Sequence, residues 1–118
     1  MRVLHMLHAL ECPVQRVGTT VRRGNKWADS FGQTLALCVC AQRQTDTHTC
    51  SPEDIQGHGE VIEIWNGSFR DVPARLLEHE HEERSRKYSG LLESMRFAYG
   101  KNFSEDENVT IVVYFRKD

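Results

Sequence analysis

Residues 33–41 (QTLALCVCA) are apolar on both faces of a pleat, with Leu35, Leu37 and Val39 on one side and Ala36, Cys38 and Cys40 on the other. A strand that borders water on one face alternates apolar with polar. One that is apolar on both faces predicts a sheet covered on both sides, with this strand in its interior. A second run of the same kind, VTIVVYF at 109–115, closes the chain before a charged tail.

Weaker strands accompany these two. Residues 59–65 (GEVIEIW) alternate and lead into Asn66-Gly67, a turn signal. Residues 18–22 gather β-branched Thr19, Thr20 and Val21 ahead of Gly24-Asn25, and VLHML at 3–7 alternates briefly. Residues 42–58 are polar and without periodicity, and read as a long loop. From residue 72 the period changes. Asp71 and Pro73 suit a helix start, and Leu77, His81, the stem of Arg84, Tyr88, Leu91, Met95 and Ala98/Tyr99 recur at three to four. Gly90 divides this stripe and Gly100 ends it.

The order is five short strands with a helical insertion before the last. It predicts an α+β fold, a small, mostly antiparallel β-barrel of five or six strands flanked by two or three helices. A chain of 118 residues with 39% apolar and 27% charged residues is expected to form a single domain over 1–118.

No apolar run approaches the roughly 18 residues of a membrane helix, and the opening MRVLHMLHALEC is short and polar for a signal segment. The cytoplasm is the expected setting, with the four cysteines as thiols. The chain has no Walker loop, no G-x-G-x-x-G, no G-x-S-x-G and no zinc-deaminase signature, so no dinucleotide or other cofactor is expected. Metal is not expected either. His79 and His81 are two apart rather than at zinc-protease spacing, and Cys38-x-Cys40 is too close for a normal zinc pair.

Charge is uneven. Residues 1–50 carry six Lys and Arg against three acids, whereas 51–118 carry nine against fourteen. Between 14 and 27 stand Arg16, Arg22, Arg23 and Lys26 with no acid. In the stretch TTVRRGNKW, Thr20, Arg22, Asn25 and Lys26 can meet an anion or a polar edge, and Trp27 offers a stacking plane. The alternative reading is a solvated strand end with Trp27 plugging the core. The run EHEHEE at 78–83 supplies acids. On a helix Glu78 and Glu82 form an i,i+4 pair, either as a solvated face or with one Glu serving a pocket.

Residues 20–27 followed by Gly32-Gln33-Thr34-Leu35 resemble the opening signature of ASCH domains, small PUA-like proteins with a "Gly-x-Lys-Thr-x-Thr-x-Arg" stretch and then a "Gly-Asp" turn. The approach Phe69-Arg70-Asp71 to the helices, Tyr99-Gly100 near their end and the last strand also look like that family. The resemblance implies a PUA-like barrel whose cleft engages RNA or a modified nucleoside or nucleotide. Some members are amidohydrolases acting on N4-acetylcytidine, and another is described as a ribonuclease. Carried over, it implies Thr20, Lys26 and one glutamate among Glu78, Glu80, Glu82 and Glu83 as catalytic candidates, with Glu78 and Glu82 put first, and Arg16, Arg22, Arg23, Asn25 and Trp27 as ligand-binding ones. The family Lys falls on Val17, and the family Asp on Gln33. The expectation is therefore an RNA- or nucleotide-binding module. An amidohydrolase is the first alternative, and a ribonuclease or protein-interaction domain the second.

Overall fold

A computed structural model describes residues 1–6, 12–39, 51–80 and 83–118. Five strands form one sheet: β1 (Val3–Met6), β2 (Val17–Arg23), β3 (Thr34–Val39), β4 (Ile55–Ser68) and β5 (Asn108–Arg116). Two α-helices, α1 (Ala74–Leu77) and α2 (Tyr88–Tyr99), lie between β4 and β5 with 3-10 turns at Phe69–Asp71 and Glu83–Arg86, and a further 3-10 turn at Pro52–Asp54 precedes β4.

The strand order is β1-β3-β4-β5-β2. The β3–β4, β4–β5 and β5–β2 pairs are antiparallel, while β1 runs parallel to β3 with Val3 opposite Ala36 and Met6 opposite Val39. The expected mostly antiparallel barrel is therefore corrected to an open, mixed sheet with β1 and β2 at its edges. The reason lies at the outer edge of β2. Thr19 N–H donates to the His79 carbonyl at 2.7 Å, and Thr19 bridges to Glu80. The chain after α1 thus occupies the edge that a closing strand would need, and four-residue β1 stays unpaired with β2.

Within 33–41 the described residues Thr34–Val39 form an interior strand, as do residues 109–115, and the apolar alternation explains both sides of β5. Val109, Ile111 and Val113 pack with Val21, Phe69, Leu77, Leu91, Met95 and Phe103 beneath the helices. Val112 and Tyr114 face the other way, onto Leu4, Met6, Trp27, Leu35, Leu37 and Val61. Covering both faces is what permits a strand to be apolar throughout.

Strand β4 is longer than the alternation at 59–65 suggests, and residues 55–58, read as loop, belong to it. A register shift between Val61 and Glu63 lets its first part pair with β3 and its length with β5. Residues 40–50, including Cys40, His48 and Cys50, lie outside the described residues, as do residues 7–11 and His81 and Glu82. Asp71 does not cap α1. It sits in the preceding 3-10 turn, and Pro73 occupies the cap position without a side-chain bond.

Gly90 lies inside the first turn of α2 and does not divide a helix. A Cβ there would collide with the Arg84 carbonyl, so the missing side chain is what lets α2 lie directly on the Glu83–Arg86 turn. Ser85 and Ser94 hydroxyls meet across that contact at 2.8 Å. Gly100 ends the helix as expected, with φ +110° and its N–H on the Arg96 carbonyl. Of the cysteines, Cys12 is a buried free thiol, whose pKa burial pushes up. Cys38 is disulfide-bonded, which corrects the expectation of a thiol at that position. Among the described residues no helix is long and apolar enough to cross a membrane.

Candidate functional site

Strand β2 presents alternate residues to two faces. Thr19 and Val21 turn with Val17 toward the helices, whereas Gly18, Thr20 and Arg22 share the face on which Tyr114 stands. Gly18 is opposite Tyr114, and a Cβ at Gly18 would lie 2.6 Å from the tyrosine hydroxyl, so the ring rests on bare backbone. That hydroxyl is fully buried, has no hydrogen-bond partner among the described residues, and has its pKa raised chiefly by burial.

A cavity of ≈ 90 Å³ opens beside this strand. Its walls come from both edges of the sheet, His5 and Met6 of β1 and Thr20 to Arg22 of β2, and from α2 with the turn before it. The sheet is thus curled enough for its edges to share a cavity while no ladder joins them. One wall is apolar, with Val21, Leu91, Met95 and Ala98. The lining also includes Arg22, Glu80, Arg84 and the hydroxyls of Thr20, Ser85 and Ser94. Glu80 is only 2% exposed. Its carbonyl accepts from Arg86 Nε at 3.1 Å, its N–H donates to the Leu77 carbonyl at 3.1 Å, and its bridge to Thr19 fixes the backbone, so the carboxylate is delivered by the turn that follows α1.

Within the cavity Arg22 Nε donates to Thr20 Oγ1 at 3.1 Å. Among the described residues Thr20 is the one hydrogen-bond partner of this half-buried guanidinium, and no carboxylate pairs with it. The terminal nitrogens therefore keep their donors for another acceptor. The same bond occupies a lone pair of Thr20, and no carboxylate accepts its proton among the described residues. A hydroxyl in that state is an anchor rather than an activated nucleophile.

The other candidates are placed elsewhere. Arg23 points outward, pairing with Glu107 at 2.6 Å and lying 5.9 Å from the Tyr99 ring centroid. Asn25 is exposed, and its carbonyl closes the turn to Ala28 N–H. Lys26 is exposed, with Nζ 5.7 Å from the Trp27 ring centroid. Trp27 itself is buried in the core beneath the Arg2 guanidinium, 4.4 Å away, so its ring is spent on packing rather than offered to a ligand.

Arg16 and Glu78 are brought together with Cys12, Val17, His79 and Arg86 around a second, wider cleft of ≈ 220 Å³, and Glu80 borders both spaces. Val17, where the resemblance asks for Lys, therefore faces the second cleft and not the one holding Thr20. Glu82 lies outside the described residues. Glu80, passed over in favour of Glu78 and Glu82, is the acid that reaches the Thr20 cavity. The helical reading of 78–83 hid it: Glu78 and His79 form a turn after α1, and Glu80 bridges to Thr19 of β2, a contact that no local pattern in the sequence announces. Among the described residues no three of His, Cys, Asp and Glu gather as a metal would require.

Fold and site together define an open-sheet α+β domain with a small mixed-polarity cavity between its sheet edges and its longer helix. No family model matches the chain, and no curated protein or solved structure matches it either. The expected ASCH/PUA-like module recognising nucleobase and phosphate through residues 20–27 is accordingly corrected, together with its amidohydrolase, ribonuclease and protein-interaction alternatives. The sheet lacks the closed barrel that reading requires, and residues 20–27 do not form one surface.

Proposed function

We propose that this domain binds a small organic molecule in the cavity between β1, β2 and α2. The observation that carries the reading is that one cavity gathers the Arg22 guanidinium, which pairs with no carboxylate among the described residues, the buried Glu80, three hydroxyls and an apolar lining. Buried polar groups are costly unless satisfied, and a few of them aimed into an apolar recess is the usual composition of a ligand site. At ≈ 90 Å³ the space suits a compact molecule rather than a lone water or a polymer. In the cytoplasm, the compartment we propose, the Cys38 disulfide would be open to reduction.

The likeness of residues 20–35 to ASCH domains is kept only as a proposal of kinship, and no activity is taken from it. The test is an NMR screen of the full chain against small acids, amides, amines, sugars and nucleosides, repeated on Met95→Trp, which fills the apolar wall. Shifts clustered on Thr20, Arg22 and Met95 in the wild type and lost in the variant support the reading. Ligand shifts that survive in Met95→Trp, or none from any class, overturn it.

A further inference from the structure

Beyond the Thr20 cavity, we infer that the second cleft, of ≈ 220 Å³ beside the start of β2, binds a small amino-acid zwitterion. Its lining holds charges of both signs that do not meet. Arg16 Nη1 donates to the Gln15 carbonyl at 3.2 Å and Arg86 Nε to the Glu80 carbonyl at 3.1 Å, and among the described residues neither guanidinium pairs with a carboxylate. Glu78 lines the same cleft and pairs with no cation among the described residues. Elsewhere on the surface opposite charges close on one another, as Arg2 does with Asp29, Arg23 with Glu107, Arg70 with Asp106 and Arg75 with Glu63. Glu80, which also borders the cleft, is buried, has partners of its own and is not one of these three charges.

Each of the three is placed by the backbone. The Arg16 carbonyl accepts the Arg116 N–H at 2.9 Å, which ties the residue to the end of β5, while Glu78 is the C-cap of α1 and Arg86 ends the Glu83–Arg86 turn. A guanidinium only donates hydrogen bonds and a carboxylate only accepts them, so the lining asks for both kinds of partner. A molecule with one carboxylate for the arginines and one ammonium for Glu78 meets both. A simple anion sets a like charge beside Glu78, and a simple amine does the same beside the arginines. Pro13 and Val17, the apolar part of the lining, suit a short side chain. A dry cavity of about 150 Å³ holds benzene, which has as many non-hydrogen atoms as alanine, so ≈ 220 Å³ admits an amino acid of that size.

The experiment titrates the full chain with L-alanine and two isosteres, L-lactate, in which a hydroxyl replaces the ammonium, and L-alaninamide, in which an amide replaces the carboxylate, following the His79 ring and Arg86 Nε–H shifts by NMR. L-alanine is expected to bind about fivefold tighter than either isostere, the scale of one solvent-open ion pair. Glu78→Gln should bring L-alanine to the level of L-lactate and leave L-lactate no weaker. Arg16→Gln should weaken L-alanine and L-lactate about fivefold and leave L-alaninamide nearly unchanged. Arg86→Gln should do the same, and because Arg16→Gln keeps the Arg86 bond to Glu80, the two variants separate a lost charge from a shifted turn. Equal affinity for L-alanine and L-lactate marks a plain anion site, tighter binding of L-alaninamide marks a cation site, and no shifts with any of the three mark a cleft without a ligand of this class. Each overturns the inference, as does full L-alanine affinity in Glu78→Gln. Met95→Trp, which fills the Thr20 cavity, should leave L-alanine binding intact, and its loss there would move the amino acid to that cavity and overturn the assignment to this cleft. Circular dichroism of each variant separates loss of fold from loss of binding.

Discussion

Thr20 and Arg22 stand two residues apart on one face of β2, and the Thr20 hydroxyl receives the Arg22 Nε–H at 3.1 Å. The spacing follows from the period of a strand, which returns a side chain to the same face at every second residue. Arg23, one residue further, is sent to the other face, where Glu107 and Tyr99 hold it. Two adjacent arginines thus have opposite employment. One is a surface clamp, and the other is a cation kept inside a cavity with its outer donors uncommitted.

Removing the Thr20 hydroxyl tests whether Arg22 is held or merely present. Thr20→Val keeps the branched shape and deletes the acceptor. Arg22 is half-exposed and can rehydrate its Nε, so stability should change by less than about 1 kcal/mol. Binding of any ligand whose NMR shifts map to Arg22 should weaken about two- to fivefold, because the guanidinium is no longer preorganised. Comparison of urea midpoints and NMR titrations for the two proteins checks this. Unchanged affinity would mean that the orientation of Arg22 does not depend on Thr20.

The legible parts of this fold are those whose residues report their surroundings locally. Leu35, Leu37, Ala36 and Cys38 declared a strand covered on both faces, and residues 109–115 did the same for β5. Strand β4 was half hidden, because Gly57, His58 and Gly59 interrupt its apolar pattern. Yet Gly59 lacks a side chain for a steric reason, the Tyr114 ring lying where a Cβ would go. Closure of the sheet was not legible at all. It depends on which segment reaches the outer edge of β2, and the alternation of a strand is the same whether its edge meets β1 or Glu80. The site suffered from the same blindness. Glu80 was read on a helical wheel, and Trp27 offered no local sign that Arg2, twenty-five residues away, covers its ring.

Gly90 gives a prediction whose sign opposes helix propensity. Replacing a helical Gly by Ala ordinarily stabilises by about 1 kcal/mol. Here the added methyl meets the Arg84 carbonyl, a backbone atom that cannot swing aside, and the Glu83–Arg86 turn must lift from α2. Overpacking of this kind costs about 1–3 kcal/mol. Gly90→Ala is therefore expected to lower the thermal midpoint by several degrees and to disturb the Ser85–Ser94 bond, whereas Ser89→Ala, exposed on the same turn, should not. A midpoint raised by Gly90→Ala would show that the close approach is not maintained in solution.

Glu107 supplies the acid side of the stability profile. Its Oε2 accepts the Ser104 N–H at 2.7 Å, and its Oε1 meets the Arg23 guanidinium. The backbone hydrogen bond from Ser104, the largest cause, together with the arginine holds the carboxyl below its ordinary value of 4.5 against the opposing effect of desolvation. A carboxyl with a lowered folded-state pKa binds protons more readily in the unfolded chain. Its contribution is complete above the ordinary value and disappears as the pH falls through the lowered one. Glu107→Gln retains an acceptor for Ser104 but removes the charge. The variant should be less stable than the wild type at pH 6, and the difference between their urea midpoints should shrink as the pH falls below the ordinary value of 4.5. Because the pair lies at the surface, 0.5 M salt should reduce the difference at pH 6 as well. A difference that stays constant from pH 6 to pH 3 would mean that Glu107 acts through its shape and its hydrogen bond rather than through its charge.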